Sequence, residues 1–301
     1  MSSNVPTVSI GLAVFNGEKY LTEAIDSILA QTYTDFELII SDNASKDRTG
    51  EICRQYAAQD SRIRYFCNPS NIGGVNNENL TFELSQGKYF RLMAHDDLLA
   101  PELIAQSVEI LESNPDVVLC YSDIAVIDSE GKQFKIINAD VGNEEHSYQR
   151  FRQLASQEHR CEATYALTRA DVLRQMQLQL NYSDSDRNFL ADLSLRGKFY
   201  KINQPLFYKR YHPERSIEVY EDRYQRMAWF DPQINESNLP YSCYFMYWRQ
   251  VFHFYSIVTR APINIHHKII CYLHLIKWLR YRRKKLINEI MILIIKNPLI
   301  N

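Results

Sequence analysis

The chain lacks the short motifs that mark several large enzyme classes. No GxGxxG follows the first predicted strand and no GxxxxGK[ST] occurs in the 301 residues, so the phosphate-binding loops of dehydrogenases and P-loop NTPases are missing. No HExxH sequence and no Cys/His cluster indicates a zinc site. We interpret His266 and His267 as a pair on a surface helix. These absences argue against a dehydrogenase, a P-loop NTPase and a zinc enzyme.

Disulfide patterns and long apolar runs are also missing. The six cysteines are widely scattered with no CxxC pair, which predicts reduced thiols in a cytosolic protein. The first residues, MSSNVPTVSIGLAVFNG, have neither a basic n-region nor a cleavage site, so we interpret them as a first strand and not as a signal peptide. No stretch reaches the ~18 consecutive apolar residues of a membrane-spanning helix. We therefore expect a cytoplasmic protein.

Charge divides the chain into two unlike parts. Residues 240–301 carry a net charge of +9, whereas residues 1–239 carry −11, although the whole chain has only −2. The length allows one or two domains of roughly 100–200 residues. An acidic body and a basic tail indicate different partners for the two parts. Nucleic-acid binding is not expected, because the body is acidic and no recognition motif is present.

Strand and helix patterns alternate through the first half of the chain. Apolar runs predict strands, and apolar residues at helical spacing predict helices between them. The strands are predicted at residues 7–15, 36–41, 63–67, 89–94 and 117–123. The helices are predicted at residues 18–30, 47–58, 76–85 and 101–113. This order indicates an α/β fold with a mostly parallel sheet and helices on both faces.

The second half has a weaker pattern. A loop-rich stretch is predicted at 128–147, and a closing strand at 199–208. Helices are predicted at residues 148–157, 169–179 and 186–196, and again from 241 onward. We divide the chain into a catalytic domain at 1–235 and a helical extension at 236–301. The domain has a donor-binding half at about 1–130 and an acceptor half at about 131–235.

Two adjacent carboxylates follow the buried strand at 89–94. Ligands of such sheets bind beyond the carboxyl ends of the strands, where Asp96 and Asp97 would lie. Mg²⁺ takes one or two carboxylates together with phosphate oxygens and water. Because neighbouring side chains of a strand diverge, one acid would hold the metal and the other a ribose hydroxyl. A turn or capping role before the helix at Pro101 is the alternative.

Three longer segments match one family in order and spacing. They are VSIGLAVFNGEKYLTEAIDSILAQTYTDFELIISDNASKD (8–47), NPSNIGGVNNENLTFELSQGKYFRLMAHDD (68–97) and DRNFLADLSLRGKFYKINQPLFYKRYH (186–212). The chain thus resembles the family-2 glycosyltransferases over most of residues 5–215. The resemblance implies the GT-A fold, which is Rossmann-like, and an inverting enzyme that uses a nucleotide-sugar donor.

The resemblance also implies roles for individual positions. It places Asp97 at the metal ligand, for Mg²⁺ or Mn²⁺, and Asp96 beside the ribose. Asp42 lies where the family recognises the base, commonly uracil. The residues assigned to the nucleotide sugar are Ala13, Phe15, Asn16, Glu18, Asp42, Asn71, Asn79, Asp96, Arg210 and His212. Ala94 departs from the family, since many members have an acid there, so the metal must rest on fewer carboxylates. We assign His95 to strand-end hydrogen bonding.

A catalytic base is implied at the start of the predicted helix 186–196. In the resemblance this position falls on Asp186, which would remove the proton from an acceptor hydroxyl. Asp184 is the second candidate. The alternative is that Asp186 only stabilises the start of the helix through its dipole.

The basic tail has the pattern of an interfacial helix. Residues 268–295 place apolar side chains at helical spacing around the sequence RYRRKK, which suits an anionic membrane surface. Trp278 and Tyr281 would then lie at the headgroup level. A helical cap on the domain or an oligomer contact are the alternatives.

We therefore expect a metal-dependent inverting glycosyltransferase that uses a nucleotide-sugar donor, with a UDP-sugar favoured, and a glycan or lipid-linked acceptor. Surface polysaccharide assembly and attachment to the cytoplasmic face of the membrane follow from the resemblance and the tail. Two alternatives stay open. One is a nucleotidyltransferase of sugar phosphates, although AVFNGEKY is poor in the glycines its loop requires. The other is a non-catalytic binding or scaffold protein of the same fold.

Overall fold

One sheet organises the computed structural model, which describes residues 5–138, 140–156, 161–219, 223–234 and 245–296. Nine strands of these residues belong to the sheet. The strands are β1 (Val8–Val14), β2 (Phe36–Asp42), β3 (Ile63–Cys67), β4 (Tyr89–Ala94), β5 (Leu98–Leu99), β6 (Val117–Ile127), β7 (Gln133–Ile137), β8 (Leu167–Arg169) and β9 (Lys198–Arg210).

The strand directions bring several chain ends to one edge. The order is β3-β2-β1-β4-β8-β6-β9-β5, with β7 paired to β6. The pairings of β1, β2, β3 and β4 are parallel, and so is that of β6 with β9, whereas β8 lies antiparallel between β4 and β6. Ala13 pairs with Ala94 and Val14 with Asp42. The loops that follow β1, β2 and β4 therefore meet, as the sequence predicts for a mostly parallel sheet.

Helices cover both faces of the sheet. They are α1 (Leu21–Leu29), α2 (Thr49–Gln59), α3 (Gly74–Glu83), α4 (Leu103–Ser113), α5 (Ser147–Ser156), α6 (Ala170–Leu173), α7 (Ser185–Arg196), α8 (Ser216–Val219), α9 (Arg223–Phe230), α10 (Met246–Arg260) and α11 (Ile265–Lys296). Alternate residues of β4 show the two faces: Tyr89 and Met93 lie in one core, while Phe90 and Leu92 lie in the other. The first core contains residues of α1 and α4, and the second contains residues of α5, α7, α10 and α11.

The boundaries of the first half agree closely with the sequence predictions, and those of β3 and β4 are identical to them. The predicted helix at 169–179 is wrong, because the segment forms β8 and the single turn α6. Arg169 explains this, since its guanidinium donates to the carbonyls of Val117 and Asn114 at 2.8 and 3.1 Å and ties the segment to β6. The stretch predicted as loop also contains β7, whose residues are mostly exposed.

The carboxyl-terminal helices are packed on the body of the protein. α10 and α11 contact α7 and α5, and Phe254, Ile257 and Trp278 are buried in the second core. The two carboxylate oxygens of Glu289 accept a shared hydrogen bond from the backbone N–H of Tyr247, at 3.0 and 3.1 Å, which caps the start of α10. The parts of the predicted extension at 236–244 and 297–301 lie outside the described residues.

Trp278 does not lie where the sequence analysis placed it. Its side chain is 6% exposed and its ring packs edge-on against Phe254, with the ring centres 6.1 Å apart. Tyr281, three residues later, is 80% exposed. A headgroup position is therefore wrong for Trp278, because this side of α11 faces the core.

Substitution of these two aromatic residues should separate a core contact from a surface one. We expect Trp278→Ala to lower the free energy of unfolding by about 3–5 kcal/mol, because it leaves a cavity in the second core. Tyr281→Ala, the matched control on the same helix, should change it by less than about 0.5 kcal/mol. Chemical denaturation followed by circular dichroism measures both. Equal effects of the two variants would contradict this packing of α11.

Candidate active site

A pocket opens at the carboxyl ends of β1 and β4. Its volume is about 540 Å³, and it is bounded by the loops after these strands, the start of α7 and the chain after β9. The predicted site residues that line it are Ala13, Phe15, Asn16, Asp96, Asp97, Asp186, Arg210 and His212. Segments far apart in sequence thus converge on one space. We call this space the strand-end pocket.

Asp96 and Asp97 are held by the end of β9 and the residues after it. Asp97 Oδ1 accepts a hydrogen bond from the backbone N–H of Arg210 at 2.8 Å. Asp96 Oδ2 is 2.9 Å from Nε2 of His212. The two carboxylates therefore have different partners, which agrees with their expected divergence.

The two acids have opposite pKa shifts. Burial acts to raise the pKa of Asp96, but the hydrogen bond with His212 and the charge of His95 outweigh it and hold that pKa below its usual range. Burial, followed by the negative charge of Asp96, raises the pKa of Asp97 well above its usual range. A cation beside Asp97 would offset both causes, since it favours the ionised carboxylate.

Asp97 also has a carboxylate oxygen that is available to coordinate a cation. Among the described residues, the carboxylate of Asp97 accepts a hydrogen bond through Oδ1 alone, and Asp97 lines the pocket. No group of three or more His, Cys, Asp or Glu side chains with metal-binding geometry occurs in that part of the chain. The residues thus fit a cation of the Mg²⁺ type, which one carboxylate holds together with phosphate oxygens and water.

Arg210 joins three parts of the structure. Its fully buried guanidinium donates to the carbonyl oxygen of Asp96 at 3.0 Å and to Oε2 of Glu23 in α1 at 2.6 Å, and it lies 4.6 Å from the ring centre of Tyr20. It also donates to the carbonyl of Ser129 at 3.3 Å. In this arrangement the guanidinium holds the backbone that carries the acid pair. Its assignment to a diphosphate remains a prediction.

The other predicted donor-site residues lie beside the pocket and not in its wall. Both oxygens of Asp42 accept protein hydrogen bonds, from the N–H of Ser45 at 2.9 Å and the hydroxyl of Tyr65 at 2.8 Å. Asn71 accepts from Asn43, Asn79 donates to the carbonyl of Gln179, and Glu18 accepts from the N–H of Arg48. Their roles toward a nucleotide remain predictions.

Asp186 lies in the first turn of α7 and lines the pocket. Burial, followed by the negative charge of Asp184, raises its pKa above the usual range. Asp184 has a left-handed backbone with φ 69°, which is rare outside glycine and places the start of α7 in the pocket wall. A carboxylate with a raised pKa is suited to remove a proton near neutral pH. Asp184 and Asp186 both line the pocket, so both stay candidates for the base.

Comparison with known proteins decides the family. Residues 9–177, more than half of the chain, match the family described as Glycosyl transferase family 2. The chain belongs to this family. It is similar to an uncharacterised glycosyltransferase of Methanocaldococcus jannaschii, with 26% identity over 258 residues that cover 84% of this chain and 87% of that protein. The chain spans much less of some other relatives, for example 13% of a protein from Sinorhizobium fredii.

Solved structures agree with the predicted fold. The structure of S. aureus TarS (residues 1–349) in complex with UDP-GlcNAc is similar over 94% of this chain and 79% of that chain, with a TM-score of 0.64 and 13% identity. A mannosyltransferase from Pyrobaculum calidifontis in complex with GDP-Man and Mn²⁺ is similar over 96% and 87%, with a TM-score of 0.53 and 14% identity. The predictions of the family, the GT-A fold and a glycosyltransferase are confirmed.

Sequence analysis missed several polar residues of this glycosyltransferase pocket. Glu162 and Lys209 form an ion pair at its wall, and Lys19 and Arg215 add positive charge. Glu78 of α3 also lines the pocket, and burial, followed by the charge of Asp186, raises its pKa to about 7. One signal for Glu78 was present, because a single acid stands among three asparagines in the sequence NNEN.

Proposed function

We propose that this glycosyltransferase is metal-dependent and inverting, and that it transfers a sugar from a nucleotide-diphosphate sugar, with a UDP-sugar favoured, to a glycan or lipid-linked acceptor. A role in surface polysaccharide biosynthesis follows from the family resemblance. The observation that carries the proposal is the convergence of Asp96, Asp97 and Asp186 on one pocket at the strand ends.

Each acid has a separate task in the proposed reaction. Asp186 accepts the proton of the acceptor hydroxyl, whose oxygen then attacks the anomeric carbon of the donor sugar. The bond from that carbon to the diphosphate breaks on the opposite face, so the configuration inverts. Asp97 would hold Mg²⁺ or Mn²⁺, which offsets the charge of the departing diphosphate when it is bound. Asp96, whose Oδ2 lies 2.9 Å from Nε2 of His212, would accept a hydrogen bond from a ribose hydroxyl.

Similar proteins support the choice of donor. One of the two similar solved structures is a complex with UDP-GlcNAc, and the other is a complex with GDP-Man and Mn²⁺. Family membership favours glycosyl transfer over the nucleotidyltransferase alternative.

The metal role predicts a selective loss in the variant Asp97→Asn. Isothermal titration with UDP should show that Mn²⁺ no longer increases the affinity, because the neutral amide is a poor ligand for a hard cation. The matched control is Asp171→Asn, which removes an exposed acid on α6 and should retain the metal effect. An unchanged increase of affinity by Mn²⁺ in Asp97→Asn would assign the metal to other groups.

The base role predicts a kinetic loss without a loss of donor binding. Asp186→Asn should lower the rate of sugar transfer by about 10²–10⁴, the usual contribution of a general base, and leave UDP affinity within a few fold. Asp184→Asn is the matched variant, because asparagine tolerates the left-handed backbone at that position. A larger loss in Asp184→Asn than in Asp186→Asn would transfer the role to Asp184.

We also propose that α11 attaches the protein to the cytoplasmic face of a membrane. No helix in the described ranges is long and apolar enough to cross a bilayer. One face of α11 nevertheless exposes apolar side chains at intervals of three and four residues. They are Ile269, Leu273, Ile276, Ile287, Ile290, Met291 and Ile294.

Exposed basic residues lie within this apolar face. Arg280, Arg283 and Lys284 are exposed and continue its three- and four-residue spacing, whereas Arg282 is half-buried over the ring of Trp278. Lys285, also exposed, donates to the hydroxyl of Tyr247. Apolar and basic side chains on one free face are typical of helices that lie on anionic lipid.

The membrane proposal predicts binding that depends on charge. Replacement of Arg283 and Lys284 by glutamine should weaken binding to liposomes that contain phosphatidylserine by roughly thirtyfold, since each basic residue contributes about 1 kcal/mol. Replacement of Lys132 and Lys135 by glutamine removes the same charge from the β6–β7 hairpin and should have little effect. Co-sedimentation measures both. Equal binding to neutral and anionic liposomes, or none to either, would favour an oligomer contact of α11.

A further inference from the structure

We propose that Glu78 is a specificity-determining residue that accepts hydrogen bonds from the hydroxyl groups of the transferred sugar. This inference rests on the proposed transfer from a nucleotide sugar. It concerns a residue for which the family resemblance implied no role. The carboxylate of Glu78 is half-buried in the strand-end pocket, where it has neither a hydrogen bond nor an ion pair with any described residue.

The helix around Glu78 is fixed by its neighbours. Asn77 donates to the carbonyl of Ser41 at 2.8 Å and accepts from its hydroxyl at 2.7 Å, so it ties α3 to β2. Asn79 donates to the carbonyl of Gln179 at 2.8 Å, so it ties α3 to the segment before α7. The side chains before and after Glu78 are thus used to hold the helix. The carboxylate between them is left for a ligand.

Nearby charges identify the chemistry of that ligand. The negative charge of Asp186 acts on Glu78, and both side chains line the pocket. The part of the pocket between these two acids is therefore acidic, and a phosphate group that no cation accompanies would be repelled there. A neutral sugar hydroxyl donates a hydrogen bond to a carboxylate, and such charge-assisted bonds are strong and directional.

The place of Glu78 points to the donor sugar. α3 packs on β1 and β2, the strands whose ends carry Asn16 and Asp42 in the donor half. Asp186 begins α7 in the acceptor half, where the proposed base meets the acceptor hydroxyl. Glu78 belongs to the donor half and interacts with this base. We therefore place it beside the sugar that is transferred. The nucleotide, in contrast, is assigned to the strand ends.

The test compares binding of a nucleotide sugar with binding of its nucleotide. UDP-glucose, UDP-galactose, UDP-GlcNAc and GDP-mannose are titrated with Mn²⁺ into the wild type, followed by UDP and GDP. We expect Glu78→Gln to weaken the best nucleotide sugar about tenfold and to leave the matching nucleotide within twofold. Glu83→Gln, which removes an exposed acid from the same helix, should leave both unchanged. Glu78→Asp should show an intermediate loss.

Each outcome bears on a separate claim. Glu78→Gln should melt no lower than the wild type, because its carboxylate has no protein partner to lose. Equal affinities of Glu78→Gln and wild type for the nucleotide sugar would overturn this inference, and so would an equal loss for sugar and nucleotide. If the wild type binds no nucleotide sugar of the panel, the proposed function fails and the inference fails with it.

Discussion

The buried guanidinium of Arg210 is the contact on which the site depends. The guanidinium links the backbone of Asp96, the acid Glu23 of α1 and the loop after β6, while the backbone N–H of Arg210 donates to Asp97. Breaking a buried, paired charge costs several kcal/mol, because the remaining charge is left without a partner. The acid pair is therefore fixed by β9, which is more than a hundred residues away in sequence. These contacts of Arg210 lie where the donor is proposed to bind.

The carboxyl-terminal helices support the opposite wall of the pocket. The hydroxyl oxygen of Tyr182 lies 2.8 Å from Nδ1 of His253 in α10, and Asn188 of α7 donates to the carbonyl of Gln250. Burial lowers the pKa of His253 to about 4, so this contact is neutral at physiological pH. The start of α7, with its candidate base, is thus held in place by a part of the chain that the sequence presents as a separate extension. The inner face of α11 packs on the rest of the protein, whereas the side chains of its outer face are exposed.

Acids that are buried in the pocket work against stability. Asp97, Asp186 and Glu78 all have pKa values raised by burial, which means that the folded protein disfavours their charged forms. Functional sites commonly retain such groups because ligands or metals compensate for them. The acids at the strand ends of this family-2 glycosyltransferase fit this general rule, and the protein groups around them leave oxygens available.

Local sequence patterns determined the alternation of strands and helices, the parallel sheet and the family, because periodicity and strand-end motifs are properties of neighbouring residues. They also located the acid pair, whereas Asp186 was implied by the family resemblance. They did not determine that 167–169 would form a strand, since that depends on Arg169 reaching the carbonyls near β6. Nor did they reveal Glu78, whose importance depends on Asn77 and Asn79 being tied to other segments. Tertiary structure also decided that Trp278 is a core residue while Tyr281 faces solvent, because only the packing of α11 on α10 distinguishes the two sides of that helix.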